Sequence, residues 1–239
     1  LNKQQGHFFS NSALGVVSPE FDVNDIGYQS RADVVNAHSG VGYKWITPRG
    51  WRKYAHALAA GWGGWDFAGN LTTAGLYAGS HLSLANHYEI EASADFCPTV
   101  VRNRQTRGGP LMLSRPGGEL QCDIETDGRK RRVYSIEFNG GMTPATSSFW
   151  SSIEVAMEWK PVSNFSLQIG PEVERNVEDA QYVTTVSAPG YVPADFGGCR
   201  YVFARLDQTT IGAEIRLNVS FTPNLSLQTY LQPLISAGR

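Results

Sequence analysis

The sequence predicts an all-β chain, an antiparallel up-and-down transmembrane β-barrel or a large part of one. Three observations predict it. Apolar and polar residues alternate with a period of two through most of the chain. Several alternating segments run about ten residues or more, whereas globular strands usually have about five or six. The polar set is rich in Glu, Gln, Arg and His, as a wet interior would require.

Taken in order, Gln29 to Trp45, Trp51 to Phe67 and Leu71 to Gly79 alternate weakly. Trp51 to Ala60 also has the composition of a short helix. Strand is preferred there because Gly61, Gly63 and Gly64 follow and the neighbours are strands. Leu82 to Phe96 is the clearest segment and reads as one strand. Leu82, Leu84, Tyr88, Ile90, Ala92, Ala94 and Phe96 fall on one face, and Ser83, Ala85, His87, Glu89, Glu91, Ser93 and Asp95 on the other. At about 3.3 Å per residue it is long enough to cross a bilayer even when tilted.

Pro98 to Gly118 is a Gly/Pro/Arg-rich loop. Asp127-Gly128 reads as a turn, and the basic run Arg129 to Arg132 beside it reads either as a solvated loop or as a contact with anionic headgroups or lipopolysaccharide. Asn139 to Ser148 and Asn176 to Gly198 are expected to be irregular. Between and after them, alternation returns in Ile153–Trp159, Phe165–Gly170, Ile211–Phe221 and Leu225–Leu231. Two of these junctions echo each other. Ile153-Glu-Val-Ala-Met-Glu-Trp-Lys-Pro161 leads to Asn164-Phe-Ser-Leu-Gln168, and Ile215-Arg-Leu-Asn-Val-Ser-Phe-Thr-Pro223 leads to Asn224-Leu-Ser-Leu-Gln228. Pro fixes φ and Asn tolerates the left-handed region, so each is a tight turn between strands. Short turns at one end and long loops at the other are the usual asymmetry of outer-membrane barrels. Trp45, Trp51, Trp65, Phe96, Trp150, Trp159 and Phe221 fall near strand ends, where an interfacial girdle would place them. About ten to twelve strands are expected, in a single domain over residues 1–239 that forms the later part of a longer chain.

The totals agree. Apolar residues make up 41% of the chain, charged residues 18%, and the net charge is -2, which gives no reason to expect nucleic acid. No run approaches the roughly 18 apolar residues of a spanning helix, but a spanning strand needs only alternate apolar positions. Cys97, Cys122 and Cys199 match no metal spacing. Cys97 and Cys122 bracket the Arg-rich loop, so a disulfide across it is one option in an oxidising compartment.

The alternation nominates His87, Glu89, Glu91, Glu154, Glu158, Gln168, Glu214, Arg216, Gln228 and Gln232 as polar residues facing a lumen. His87, Glu89 and Glu91 share a face and could ligate a metal, although lumen polarity explains them as well. Asp22, Asn24 and Asp25 could hold Ca²⁺, but the EF-hand template fails and a turn held by Asx hydrogen bonds is the simpler reading. Glu154 and Glu158 lie about 13 Å apart along a strand, too far for a paired-carboxylate glycosidase site of about 5–10 Å. No nucleophile motif such as G-x-S-x-G occurs. No catalytic residue, cofactor or metal is assigned, and no enzyme is expected.

Three stretches resemble a known family: Ser18-Pro-Glu-Phe-Asp-Val-Asn-Asp-Ile-Gly-Tyr28, Tyr201-Val-Phe-Ala-Arg-Leu-Asp-Gln-Thr-Thr210, and Arg216-Leu-Asn-Val-Ser-Phe-Thr-Pro-Asn-Leu-Ser-Leu-Gln-Thr-Tyr-Leu-Gln-Pro233. They resemble the domain of unknown function 5916 family, from about Phe9 to Arg239, and the last stretch is the most specific. The resemblance implies a barrel that follows an N-terminal carbohydrate-binding domain similar to family nine. Nothing in this chain resembles that module. Members are sometimes labelled hydrolases, and no catalytic residue carries over. The expectation is a bacterial outer-membrane barrel, a channel or a transport or anchor component linked to carbohydrate handling. Its partners would be the lipid bilayer, lipopolysaccharide and other outer-membrane or surface proteins. The rivals are a scaffold subunit without transport and a soluble all-β carbohydrate-binding or hydrolytic domain.

Overall fold

The structure is a computed structural model, and it describes all residues except 25, 26, 30, 189 and 191–195. Strands dominate the described residues: β1 (Asn2–Lys3), β2 (Phe8–Val17), β3 (Val34–Trp45), β4 (Arg52–Trp65), β5 (Leu71–Leu84), β6 (Glu89–Cys97), β7 (Val100–Arg102), β8 (Met112–Ser114), β9 (Gly117–Glu125), β10 (Arg132–Thr143), β11 (Ser148–Trp159), β12 (Phe165–Ser187), β13 (Cys199–Thr222), β14 (Leu225–Leu231) and β15 (Leu234–Gly238). One turn of 3₁₀ helix follows β10. All but β7 and β8 belong to one antiparallel sheet, in the order β1-β2-β3-β4-β5-β6-β9-β10-β11-β12-β13-β14. Strand β15 extends the line of β14 beside β13 after a break at Gln232-Pro233. Every step but β6 to β9, which skips the separate β7–β8 pair, joins neighbours in sequence, the up-and-down meander that the alternation predicts. Strand β4 replaces the helix that Trp51 to Ala60 also allowed.

Both echoed turns are where the sequence puts them, between β11 and β12 and between β13 and β14. Three expectations need correction. Leu82 to Phe96 is a hairpin rather than one strand. Its turn spans residues 85–88, with His87 at φ 65°. Ser83 pairs with Glu89 and Leu82 with Ile90, so like-parity residues face each other and the alternation passes through the turn unbroken. Asn139 to Ser148 is strand up to Thr143. Asn176 to Gly198 is strand up to Ser187, because β12 and β13 pair far beyond their neighbours. Past Val177 they form a two-stranded ribbon that projects from the sheet, with register shifts at Glu178/Gln181 and Tyr182/Thr184. The disulfide left open for Cys97 and Cys122 is not formed, and all three cysteines are free. Cys97 lies opposite Gly117, on the face of Asp95, whereas Cys122 pairs with Ala92 on the other face. Five residues of β9 separate their levels, about 16 Å, far beyond disulfide reach.

The long connections gather at one end, together with the short β4–β5 and β10–β11 turns, and turns of a few residues close the other. At the long-loop end, residues 98–116 turn inward and carry the β7–β8 hairpin. Asn103 Nδ2 donates to Asp66 Oδ2 at 2.8 Å, and Gln105 Nε2 donates to the Ala180 carbonyl at 3.4 Å. Arg104 donates to the Ala32 carbonyl, and the Arg107 guanidinium sits 4.9 Å over the Tyr182 ring. Gly109 lies against the Tyr201 ring, where no side chain would fit. These anchors reveal the shape of the sheet. Arg104 holds Ala32, just before β3, and Gln105 holds Ala180 in β12, seven strand spacings away. In a flat sheet that separation is about 34 Å. Adjacent residues, even with both side chains and their hydrogen bonds fully extended, bridge at most about 27 Å. The sheet is therefore rolled, and the hairpin crosses its concave side. Among the described residues no ladder joins the β1 edge to the β14 edge, so the roll is open.

No hydrophobic core fills it. Among the described residues only Ala55, Val133, Ala156 and Val177 are buried hydrophobics. Large apolar side chains stand on the convex face instead, with Leu76 64%, Ile153 48% and Ile211 60% exposed.

Candidate functional site

Register turns the period-two pattern into rows that cross the sheet. Lys44, His56, His81, Glu91, Asp123, Glu137, Glu154 and Glu172 are direct cross-strand neighbours, one from each strand β3 to β12 of the main sheet. One residue along, on the convex face, the matching row is Tyr43, Ala57, Ser80, Ala92, Cys122, Phe138, Ile153 and Val173. The concave row thus runs from a lysine through two histidines into five adjacent carboxylates. Like charges directly opposite each other cost about 0.2–1 kcal/mol per pair. The fold keeps these on the wetter face.

His81 links the two halves of the row. Its Nδ1 contacts Glu91 Oε1 at 2.8 Å and its Nε2 contacts Glu89 Oε2 at 3.1 Å. His56 stacks on it at 5.5 Å with rings 11° apart. Toward the short-turn end, Glu158 accepts from Ser166 at 2.9 Å and pairs with Lys160 at 2.8 Å. Gln168 lies between Glu158 and Arg216. Arg216 Nε bonds Glu214 Oε1 at 2.6 Å and stacks over Tyr230, which pairs with it across the ladder. Gln228 pairs with Asn218 nearby.

Toward the long-loop end two more tiers follow. Ser93, Gln121, Asn139, Ser152, Glu174 and Thr210 form the first, in direct register. The second is Tyr77, Asp95, Glu119, Gly141, Trp150 and Asn176. The inward hairpin faces this tier across a cavity of about 350 Å³.

Of the nominated residues, Glu89, Glu91, Glu154, Glu158, Gln168, Glu214, Arg216 and Gln228 lie on this concave wall. His87 does not. It sits in the β5–β6 turn, where both ring nitrogens contact the Lys53 ammonium, so it cannot join Glu89 and Glu91 around a metal. Gln232 lies just past β14, yet its Oε1 still accepts from the Tyr230 hydroxyl at 3.1 Å. Asp22 Oδ1 accepts from the Asn24 backbone N–H at 2.9 Å, an Asx turn, while Asp25 is outside the described residues. Trp150 was expected in the girdle but points to the concave side, opposite Gly141. The sequence did not single out Asp123, Glu137 or Glu172, and gave His56 no role. Each alternates correctly in its own strand. Only register shows that they form one row.

Two carboxylates outside the sheet hold its ends in place. Asp66 is buried beside the hairpin. Burial alone would raise its pKa, but hydrogen bonds from the Asn70 side chain and backbone N–H and from Asn103 outweigh that and lower it. In the β9–β10 turn, hydrogen bonds from the Arg129 guanidinium hold the Asp127 carboxyl down to about 2. That fixes the first residue of the basic run as a structural clamp.

No curated protein and no solved structure matches this sequence. The sequence does match a protein family across residues 1–236, nearly the whole chain. The chain belongs to the family called domain of unknown function DUF5916.

Proposed function

We propose that this chain builds the wall of a transmembrane β-barrel in the outer membrane of a Gram-negative bacterium, and that its polar interior carries a hydrophilic solute. The observation that carries this reading is the contrast between the two rows one residue apart. Ile153 and its neighbours meet the outside while Glu154 and its neighbours meet the inside. A soluble monomer rarely leaves a contiguous apolar patch beyond a few hundred Å² uncovered, and here the patch extends over the convex face of the main sheet. Lipid would cover it.

The dimensions agree with a bilayer. Phe149 and Trp159 stand on the convex face near opposite ends of β11, ten residues apart. That is about 33 Å along the strand. At the tilt of about 40° usual in such barrels it gives about 25 Å of height, the depth of the apolar band. Trp45 and Tyr134 lie near the Trp159 level, and Trp65 and Phe96 near the Phe149 level. In hydrocarbon the two open edges need partner strands, because unpaired backbone N–H and C=O groups are too costly there. The barrel is therefore larger than these strands.

Cell fractionation tests the reading. The full-length protein should sediment with the outer membrane and shift in gel mobility on boiling, as closed barrels do. Recovery in a soluble fraction with no heat-dependent shift would refute it.

A further inference from the structure

We infer that the inward hairpin and the tier of the wall beneath it enclose a binding site for a short saccharide. The inference rests on the reading of the concave side as a solute path, and it adds the class of solute.

The site is built from two opposed surfaces. On the wall, Asp95 and Glu119 are direct cross-strand neighbours. Glu119 faces Gly141, and Gly141 faces Trp150. A Cβ on Gly141 would lie 2.5 Å from Trp150 Nε1 and 3.0 Å from Glu119 Cγ. The indole therefore lies across the bare backbone of β10 and reaches toward Glu119. Its other side is left toward the cavity, and the residue is 39% exposed. Asn176 continues the tier on β12. Across the cavity, the hairpin segment supplies Arg102 and Gln105.

That segment is held in place. Thr106, only 2% exposed, donates to the Pro110 carbonyl at 2.8 Å, and Asn103 and Gln105 tie it to Asp66 and Ala180. A site preformed in this way loses little affinity to ordering on binding.

The chemistry selects a polyol. A sugar hydroxyl both donates and accepts, and here the Asp95 and Glu119 carboxylates on one wall oppose the Arg102 guanidinium on the other. A sugar also has an apolar C–H face that packs on a flat indole. The adjacent tier of Ser93, Gln121, Asn139 and Ser152 continues the same neutral donors and acceptors down the wall. A cationic solute would also meet Asp95, Glu119 and the indole face, and the lysine-bearing dipeptide in the test decides between the two classes. The cavity, about 350 Å³, accommodates one or two sugar rings and not a folded chain.

The test is titration of the refolded full-length protein in detergent with maltotriose, cellotriose and xylotriose, and with the dipeptide Lys-Glu as the zwitterionic competitor. Saturable heat and quenching of tryptophan fluorescence are expected with at least one trisaccharide. Trp150→Ala should weaken that binding about tenfold and remove most of the quenching. Arg102→Ala should weaken it as well, from the opposite surface. Heat-dependent gel mobility, measured on the same samples, reports the barrel separately. A barrel that shifts normally but binds no trisaccharide, binds the dipeptide instead, or binds sugar unchanged in both variants overturns the inference and leaves the membrane reading intact. If Trp150→Ala fails to shift, Arg102→Ala alone decides.

Discussion

Ile153 and Glu154 are covalent neighbours with opposite surroundings, and the pair gives the sharpest residue-level forecast. Ile153→Arg puts a charge on the convex face near the middle of β11. In a bilayer this should cost about 2–4 kcal/mol of folding stability. Glu154→Gln, one residue away, should leave insertion unchanged. Urea titration of the protein folded into vesicles reads both. A second forecast concerns Asp127. Its folded pKa, about 2, lies below the unfolded value of about 3.9. Its contribution to stability is therefore complete above the unfolded value and is lost as pH falls through that value toward the folded one. Wild type should lose stability between about pH 4 and pH 2 more steeply than Asp127→Asn, a difference that denaturant midpoints across that range would show. At this scale the sequence was informative about side and poor about partners. The alternation put Glu89, Glu91 and Glu154 on one polar face, and the register places them together on the concave side. It could not see that His87 leaves that face for a left-handed turn position, nor that Trp150 folds inward over Gly141.

Parity explains both the success and the failures at the level of strands and hairpins. A turn that pairs residues of like parity, as Leu82 pairs with Ile90, leaves a period of two unbroken, so β5 and β6 read as one segment. Asn139-Gly140-Gly141 carries loop composition, yet it is strand. Its small residues make room for Phe138 and Trp150, whose rings lie over Gly140 and Gly141. The two echoed turns were legible because Pro and Asn fix local backbone geometry. Register needs long-range pairing and was not. Its main product is the carboxylate row, and it yields a forecast. Glu137 sits between Asp123 and Glu154 in direct opposition to both. Glu137→Gln should raise stability by about 0.4–2 kcal/mol, two like-charge pairs' worth. A fall in the denaturation midpoint would mean that the row is held by something other than solvent. The hairpin is an element with its own anchor. Asp66→Ala strands the Asn103 amide and the Asn70 N–H, at a cost of about 1–3 kcal/mol. Trypsin should then cut at Arg104 and Arg107 faster than in wild type, and an unchanged cleavage rate would show that the β7–β8 segment does not depend on that anchor.

From β6 to β12 the sheet places its Leu, Ile and Phe residues outward and leaves the inside mostly polar, whereas Phe9, Leu58 and Trp62 share the concave face of β2 and β4 with His56. This inverts a soluble β-sandwich, in which the Leu, Ile and Val of two stacked sheets would meet each other. Among the described residues there is one large sheet, accompanied by the short β7–β8 pair. The sequence conveyed the all-β meander and the two faces, since both follow from residue order alone. It did not convey the inward hairpin, because Asn103 meets Asp66 and Gln105 meets Ala180 only through chain separations that no local pattern encodes. What the convex face touches decides whether this sheet is a membrane wall. Single cysteines at 151 through 157, in a background without Cys97, Cys122 and Cys199, can carry nitroxide labels in vesicles. Accessibility to oxygen should peak at Ile153, Val155 and Met157, and accessibility to a water-soluble nickel complex at Ser152, Glu154 and Ala156, in antiphase. Uniform accessibility to the nickel complex at every position would contradict a membrane wall.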